Sequence, residues 1–467
     1  MGSCEKDFLD TVPKTTIPDQ DAFSTPTKIL AQVNNLYGQI QNPNFYGGRY
    51  IVFNEQRSDE FGQNDGNAAT GSAIWNQNVA STSEYINNVW SAAYTAINAS
   101  NILIEQLTSS TVISESLAKQ YIAEAKFIRA FCYFSLVQTY AKPYNQDKTA
   151  PGVPLRLIAI KSSGHNDLAR STVEEVYQQI LKDLDEAEAE LPTSYATSLL
   201  NCSRAHQSTA IALKTRVYLN KSDYSKVMIE AQKLVSPTAP YFYQSGTVTH
   251  KLESSFSNLF TGTYTGTEAI FSVIFANTTT ETPPSQFALA FNYVTQPIIF
   301  LAKEGIGYHP VLSDSNDTRS LMTSVNVAKH KILTKFRTTT APFSDYVPVI
   351  RYAEVLLNYA EAAARSGNLD LAKSLLLAVR QRAHAGFQFN DNEVDTQEHL
   401  LQILMTERRI EFLGEGLRLQ DLQRNVLPLP SKTGTIGKAP EVLPTAKNYI
   451  WPIPSGELST NKLCVPN

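Results

Sequence analysis

Apolar residues recur three and four positions apart along much of the chain, and this spacing predicts amphipathic helices. The segments that show it most clearly are residues 28–40, 85–107, 117–140, 173–191, 207–220 and 225–235. The segment at 173–191 also carries helix-boundary signals, with Thr172 before it and Pro192 after it. The pattern therefore indicates a mostly α-helical protein.

Two stretches predict pairs of helices that are joined by short turns. Residues 205–235 turn at Lys221-Ser222-Asp223, and residues 352–383 turn at Ser366-Gly367-Asn368. Both are similar to tetratricopeptide units, in which small alanine side chains let two helices approach closely. Because the pairs are not contiguous in the sequence, we expect no uniform solenoid.

Two long regions lack helical periodicity. Residues 45–78 contain five glycines among many Asn and Gln residues, whereas residues 241–347 are rich in Thr, Ser, Pro and aromatic residues with one convincing strand at 269–275. Connections of such length inside a compact domain are usually functional. We expect a helical scaffold, mainly residues 85–235 and 349–424, with the irregular regions packed on it.

The segment ERRIEFLGEGLRLQDLQR, residues 407–424, combines an apolar helical face with many charges. Glu407, Glu411 and Glu415 are four residues apart and would repel one another on an exposed helix. The arginines expected to bind these carboxylates are the interleaved Arg408, Arg409 and Arg418. Since such a lattice fixes one packing geometry, we expect an architectural role rather than a catalytic acid pair.

Composition excludes some functions. The net charge of −4 and the pI near 6.0 give no basic field, so nucleic acid is not an expected partner. Charged residues make up 18% of the chain, less than the usual quarter, and the polar uncharged residues that replace them favour a secreted or cell-surface protein. No run approaches the roughly eighteen apolar residues that a membrane-spanning helix requires.

The sequence shows no catalytic or metal-binding motif. The four cysteines, Cys4, Cys132, Cys202 and Cys464, and the seven histidines have no metal-ligand or redox spacing. Cys132 lies among aromatic residues in a helical run and is expected to be a small buried hydrophobic residue. There is no Gly-x-Ser-x-Gly elbow and no phosphate-binding glycine loop. We expect no cofactor, no metal ion and no enzymatic activity.

Five segments, in order along the chain, resemble the SusD/RagB family of outer-membrane nutrient-binding lipoproteins. They are CEKDFLDTVPKTTI (4–17), AEAKFIRAFCYFSLVQTYAKPY with GVPL (123–144 and 152–155), IRYAEVLLNYAEAAARSGNLDLAKSLLLAVRQRA (350–383), residues 407–424, and YIWPIPSGELSTN (449–461). The resemblance implies a single unit over residues 1–467, with tetratricopeptide-like helix pairs in a superhelical scaffold. It also implies capture of a nutrient oligosaccharide, and a partner that is a TonB-dependent outer-membrane transporter (SusC/RagA-like).

The resemblance gives Cys4 a role. Mature members of the family begin at a lipidated cysteine followed by short acidic stretches, and Cys4-Glu5-Lys6-Asp7 fits this pattern. Met1-Gly2-Ser3 looks like a vector-derived addition in place of a signal peptide. A myristoylation motif is not expected, because Lys6 occupies its Ser or Thr position. We expect lipidation at Cys4 and a surface-exposed protein anchored in the cell outer membrane.

Sugars present hydroxyls at their edges and weakly apolar C–H faces, so their sites combine aromatic rings with amides, acids and arginines. By the resemblance, the ligand aromatics come from the two irregular regions. The candidate ligand-binding residues are Tyr46, Arg49, Asn64, Asp65, Trp75, Asn76 and Asn78 in residues 45–78, and Phe287, Tyr293 and Tyr308 in residues 241–347. We expect Trp75 to be the main stacking surface, and Trp90, Phe53, Phe61 and Phe271 to lie in the core.

Other ligands and functions stay open. An oligopeptide or a small sugar such as sialic acid could replace the oligosaccharide, and Arg49 or Arg57 could meet its carboxylate. For Arg319 an internal ion pair with Asp317 is the stronger expectation. An all-helical glycosidase would take its acids from Asp59, Glu60 or Asp65. A helical-repeat adaptor would need exposed stripes on its helices, whereas the unusual residues lie in loops.

Overall fold

The computed structural model describes residues 19–162, 164, 167–261, 264–276 and 282–467. Its α-helices are α1 (Asp19–Ala22), α2 (Pro26–Ile40), α3 (Arg49–Arg57), α4 (Ser72–Trp75), α5 (Glu84–Thr108), α6 (Glu115–Tyr140), α7 (Tyr144–Asp147), α8 (Val173–Glu190), α9 (Ser198–Ser203), α10 (Gln207–Asn220), α11 (Tyr224–Gln232), α12 (Tyr352–Arg365), α13 (Leu369–Ala383), α14 (Gln397–Glu411), α15 (Arg418–Arg424) and α16 (Ser455–Thr460). Its strands are β1 (Phe61–Gln63), β2 (Phe242–Ser245), β3 (Val248–Lys251), β4 (Ala269–Val273), β5 (Ile299–Leu301), β6 (Thr323–Val325), β7 (Lys331–Leu333), β8 (Val347–Arg351), β9 (Lys432–Gly434) and β10 (Gly437–Ala439).

The long helices pack in sequence order, and the mostly α-helical fold is confirmed. Helix α6 contacts both α5 and α8, α10 contacts α8 and α11, and α12 contacts α11, α13 and α14. Each helix buries its apolar stripe against these neighbours, which is the arrangement that the apolar spacing predicts. The helix pairs are tetratricopeptide-like and form the scaffold.

Both predicted helix hairpins are present. The turn between α10 and α11 places Ser222 at φ 56°, and the turn between α12 and α13 places Gly367 at φ 83°. In each turn the next residue caps the second helix: the side chain of Asp223 accepts from the Lys226 N–H, and that of Asn368 accepts from the Leu371 N–H. Short local signals therefore fix both turns.

The irregular regions contain more strands than the sequence predicts. The expected strand at 269–275 forms β4, which pairs with β8, but β1 in the region 45–78 and β2, β3, β5, β6 and β7 in the region 241–347 were not predicted. All five sheets of the described residues are two-stranded and antiparallel. In one of them β1 pairs with β5, with Gly62 opposite Phe300. This pairing joins the region 45–78 to the region 241–347.

The charged segment at residues 407–424 forms two helices, so the prediction of one continuous helical face is wrong for the residues between them. Helix α14 ends at Glu411 and α15 begins at Arg418. Between them Gly414 and Gly416 adopt φ values of 82° and 80°, a left-handed conformation that ends a helix and that glycine adopts without strain.

The expected lattice of buried ion pairs is present, but the expected pairing of Glu407, Glu411 and Glu415 with Arg408, Arg409 and Arg418 is wrong. Arg408 binds Asp421, Arg409 binds Glu60 and Arg418 binds Asp59, and the cations that bind the three glutamates come from elsewhere in the chain. The pairs are Glu407 with Arg319 (2.5 Å) and Arg380 (3.0 Å), Glu411 with Arg351 (2.9 Å), Arg319 (3.2 Å) and Arg382, and Glu415 with Lys335 (2.6 Å) and Arg351 (2.9 Å). Arg319 also binds Asp317 at 2.8 Å, as expected. The lattice therefore ties α14 to the segment 317–335 and to β8 and α13.

One buried hydrophobic cluster reaches from Phe23 to Cys464 and draws on helices and irregular regions alike. Trp90, Phe53, Phe61, Phe271 and Cys132 are buried, which confirms their assignment to the core. Among the helices of the described residues, none has the length and apolar character needed to cross a bilayer.

Candidate ligand-binding site

A cavity of about 500 Å³ lies where the two irregular regions meet. Its lining residues are Arg49, Asn64, Asp65, Asn67, Ala69, Thr70, Gln286, Phe291, Asn292, Gln296, Pro297 and Ile298. Cavities of a few hundred Å³ with convergent polar groups are the usual form of small-ligand sites. The candidates Arg49, Asn64 and Asp65 are brought together here with parts of the region 241–347.

The strand pairing continues into the cavity wall. Beyond the end of β1, the Asn64 N–H donates to the Ile298 carbonyl at 2.9 Å, and its side-chain amide donates to the Pro297 carbonyl at 3.1 Å. Two opposing walls are thus joined by hydrogen bonds at their base.

Two buried glutamines hold the loop 64–71 from below. Gln56 Nε2 donates to the Thr70 carbonyl at 2.7 Å and to Gln63 Oε1 at 2.8 Å. Gln63 Nε2 in turn donates to Thr70 Oγ1 at 2.9 Å and to the Asp65 carbonyl at 3.1 Å. Gly71 follows at φ 77°, where a Cβ would lie 2.6 Å from Gln56 Oε1. The loop therefore has a fixed shape.

The cavity offers one partly accessible ring surrounded by amides. Phe291 is half-buried and packs edge-on against Phe343, with ring centroids 5.8 Å apart. Gln286, Gln296 and Asn67 are exposed around it. A ring with neighbouring amides can receive the C–H face of a sugar and its hydroxyls.

Arg49, the first residue of α3, lies in the cavity wall with its side chain buried. Its Nη2 donates to the Ala69 carbonyl at 3.1 Å, and its guanidinium lies 4.9 Å from the ring centre of Phe287. Burial lowers the pKa of Arg49 from its ordinary value, because a cation removed from water is less stable.

Trp75 does not present a ring to the cavity, so the expectation that it is the main stacking surface is not met. It is 0% exposed, and its Nε1 donates to the Phe61 carbonyl at 2.8 Å. Lys432 lies 5.7 Å from its ring centre, and Gly434 packs against its Cζ2 edge. Strand β9 therefore packs against this tryptophan, which supports β1 beneath the cavity.

Tyr46 and Tyr293 are also in the interior rather than at a ligand surface. Tyr46 packs against Phe131 at 4.4 Å between ring centres, and its hydroxyl lies 3.2 Å from Ser135 Oγ. The Tyr293 hydroxyl donates to the Gly414 carbonyl at 3.2 Å, and the ring stacks on Phe336. Both aromatics serve packing, which is the commoner role of a loop aromatic.

The remaining candidates do not line the cavity. Asn76 is half-buried and Asn78 is exposed, just beyond α4. Phe287 is half-buried over Arg49, and Tyr308 is 43% exposed, with Lys331 5.4 Å from its ring centre. Cys4, the expected lipidation site, lies outside the described residues.

Two of the three acids considered for a glycosidase, Asp59 and Glu60, are held by arginines, whereas Asp65 lines the cavity. Arg418 Nε binds Asp59 at 2.7 Å, and Arg409 Nε binds Glu60 at 2.7 Å. Burial favours the protonated form of both carboxyls. At Glu60 burial dominates and raises the pKa, whereas at Asp59 the ion pair with Arg418 outweighs burial and lowers the pKa. These acids link α3 to α14 and α15, and they do not line the cavity.

Several lining residues escaped the sequence prediction, among them Asn67, Thr70, Gln296, Pro297 and Ile298. A signal existed for the first two, since they lie in the same amide-rich stretch as Asn64. For the others the only signal was the polar Gln296 before Pro297 in an irregular region. Their position depends on the pairing of β1 with β5, which three-residue strands do not reveal.

Two family models and several curated relatives match this chain. Residues 7–219 match a family model described as starch-binding and associating with the outer membrane, and residues 301–467 match the model of the SusD family. SusD-like protein P2 of Formosa agariphila is 24% identical, and the alignment covers 98% of this chain and 95% of that protein.

Solved structures show the same fold. A SusD superfamily protein from Bacteroides fragilis is 31% identical with a TM-score of 0.85, and the match covers 95% of this chain and 100% of that one. A laminarin-binding SusD-like protein has a TM-score of 0.75 at 22% identity, with 95% of this chain and 99% of that one covered. From its sequence segments, its fold and these matches, the chain belongs to the SusD family.

Proposed function

We propose that this protein binds a nutrient oligosaccharide in the cavity between its two irregular regions and delivers it for uptake across the outer membrane. The carrying observation is the meeting of a partly accessible ring, Phe291, with exposed amides and Arg49 in a cavity of about 500 Å³. Sugar hydroxyls need several donors and acceptors, and the apolar sugar face needs a ring. The laminarin-binding neighbour supports a glycan ligand.

We propose that the protein binds the glycan without hydrolysing it. Glycoside hydrolysis uses two carboxyl groups that flank the bond at about 5 Å or about 6.5–9.5 Å. Asp65 is the one acid among the described residues that line the cavity, and Asp59 and Glu60 are engaged by arginines. A bound glycan should therefore be released unchanged.

Family membership supports a proposal for the location and the partner. We propose that Cys4 carries the lipid that anchors the protein to the outer membrane, and that a TonB-dependent transporter takes the ligand from it. Tethering next to a transporter raises the effective ligand concentration, so a modest affinity suffices. We also propose that residues 1–467 act as one unit, which the shared hydrophobic cluster supports.

A binding screen with product analysis tests this function. Purified protein is applied to a panel of neutral and acidic oligosaccharides and of peptides, and bound ligands are eluted and weighed by mass spectrometry. The proposal expects one or more glycans to bind and to be recovered intact. Binding of peptides alone, or shortened glycans whose release stops in Asp65→Asn, would contradict it.

A further inference from the structure

Arg49 differs from the arginines of the scaffold in how its charge is balanced. Arg129 binds Asp183 with two nitrogens at 2.8 and 2.7 Å, and Arg424 binds Glu361 at 2.7 and 2.6 Å. Arg49 is only 5% exposed, yet its Nε and Nη1 have no hydrogen-bond partner among the described residues. A buried guanidinium without a carboxylate is costly, so its presence in a cavity wall needs a reason.

Aromatic rings surround the Arg49 guanidinium instead. Its central carbon lies 4.9 Å from the ring centre of Phe287, 5.4 Å from that of Tyr85 and 5.5 Å from that of Phe53. Ring faces stabilise a cation but leave its charge in place.

Carboxylates near Arg49 are exposed and do not neutralise it at close range. Asp65 lies in the cavity wall, where its Oδ1 accepts from the Asn67 N–H at 2.7 Å, and Glu84 is exposed at the start of α5. Water and salt screen such surface charges strongly. The buried side of the cavity therefore carries uncompensated positive charge.

We propose that the cavity selects an acidic ligand, in which the carboxylate of a uronic-acid sugar accepts the free N–H groups of Arg49. This inference rests on the proposed function and names the class of its glycan. A guanidinium binds a carboxylate through charge-assisted hydrogen bonds that a neutral hydroxyl cannot equal. The half-buried Phe287 ring covers Arg49, so the proposed binding requires this ring to turn aside to admit the carboxylate.

The first test compares matched ligands on the wild-type protein. Oligogalacturonates and oligomannuronates are measured beside the same oligosaccharides after reduction of their carboxyl groups to alcohols. At least one acidic oligosaccharide should bind about tenfold or more tightly than its reduced form, and added NaCl should shrink that preference. If reduced and neutral oligosaccharides bind and acidic ones do not, the inference is overturned while the proposed function stands. If no glycan binds, both are overturned.

The second test changes Arg49 itself. Arg49→Met keeps an unbranched stem and removes the charge, and it should bind the acidic and the reduced forms with equal affinity, so that the wild-type preference for the acidic form is abolished. Arg49→Lys keeps the charge without the planar fork and should keep part of the preference. An unchanged preference in Arg49→Met would overturn the role of this residue. Should Arg49→Met fail to fold, the comparison of Arg49→Lys with wild type still tests whether Arg49 selects the acidic form.

Discussion

Replacing Trp75 by alanine should destabilise the protein strongly and should not act as the loss of a ligand contact. The ring is fully enclosed, it donates one hydrogen bond to the Phe61 carbonyl, and Lys432 and Gly434 pack against it. Truncation of a buried tryptophan leaves a void that the surroundings fill only in part, and it costs about 3–5 kcal/mol of the free energy of unfolding.

Two further variants separate the contributions. Trp75→Phe retains much of the apolar volume but leaves the Phe61 carbonyl without its donor, so its cost should be smaller than that of Trp75→Ala. Phe242→Ala removes a ring that is 46% exposed, and it should change the free energy of unfolding by no more than about 0.5 kcal/mol.

Urea denaturation followed by circular dichroism measures all three variants, and glycan binding is measured on the folded fraction. We expect the loss of stability to be largest in Trp75→Ala, smaller in Trp75→Phe and smallest in Phe242→Ala. The glycan affinity of folded Trp75→Phe should be close to that of wild type. A Trp75→Ala protein that unfolds like wild type and has lost its ligand would refute the reasoning and return Trp75 to the binding site.

Three more predictions concern buried charges. Glu411→Ala should cost about 3–5 kcal/mol of stability in a thermal or urea melt, because it removes a carboxylate that Arg319, Arg351 and Arg382 share and leaves their buried charges undercompensated; a variant that melts like wild type would contradict the lattice. Burial raises the pKa of Glu55 to about 8, so the folded protein keeps the Glu55 proton at pH values where the unfolded chain, with a pKa of about 4.3, has released it. As the pH rises from about 4.5 to 8, wild type should therefore lose a few kcal/mol of stability relative to Glu55→Gln. Burial opposes ionisation of Asp421, but Arg408 and Arg424 outweigh this effect and lower the pKa of Asp421 to about 2. The ionised Asp421 should therefore contribute about 2 kcal/mol to the free energy of unfolding above pH 4, and this contribution should be lost between about pH 4 and 2. The difference in stability between wild type and Asp421→Asn should narrow over the same range. A gap that stays constant with pH would contradict either assignment.

Local sequence signals were enough for the helical scaffold. The turns at Ser222 and Gly367 and the caps at Asp223 and Asn368 lie within a few residues of the helices that they join. Such features depend on residues that are close in the sequence, namely those that cap a helix or allow the backbone to turn, so their residue types are enough to predict them.

Contacts between distant segments could not be predicted in this way. The sequence showed that Glu411 needs buried cations, but Arg351 and Arg382 lie in β8 and α13, far along the chain. Trp75 looked exposed because its neighbours in the sequence are small residues and amides, whereas the residues that cover it lie in the distant strand β9. The cavity likewise depends on a three-residue strand pairing that has no periodic signal.

The most direct test of ligand capture in the cavity is the binding isotherm of Phe291→Ala for the glycan that binds wild type best, beside Phe242→Ala as a control with an exposed ring outside the cavity. Loss of a stacking ring should weaken binding by about tenfold or more, which corresponds to about 1.4 kcal/mol, while Phe242→Ala should bind as wild type does. Wild-type affinity in a folded Phe291→Ala protein would contradict the account and place the ligand elsewhere.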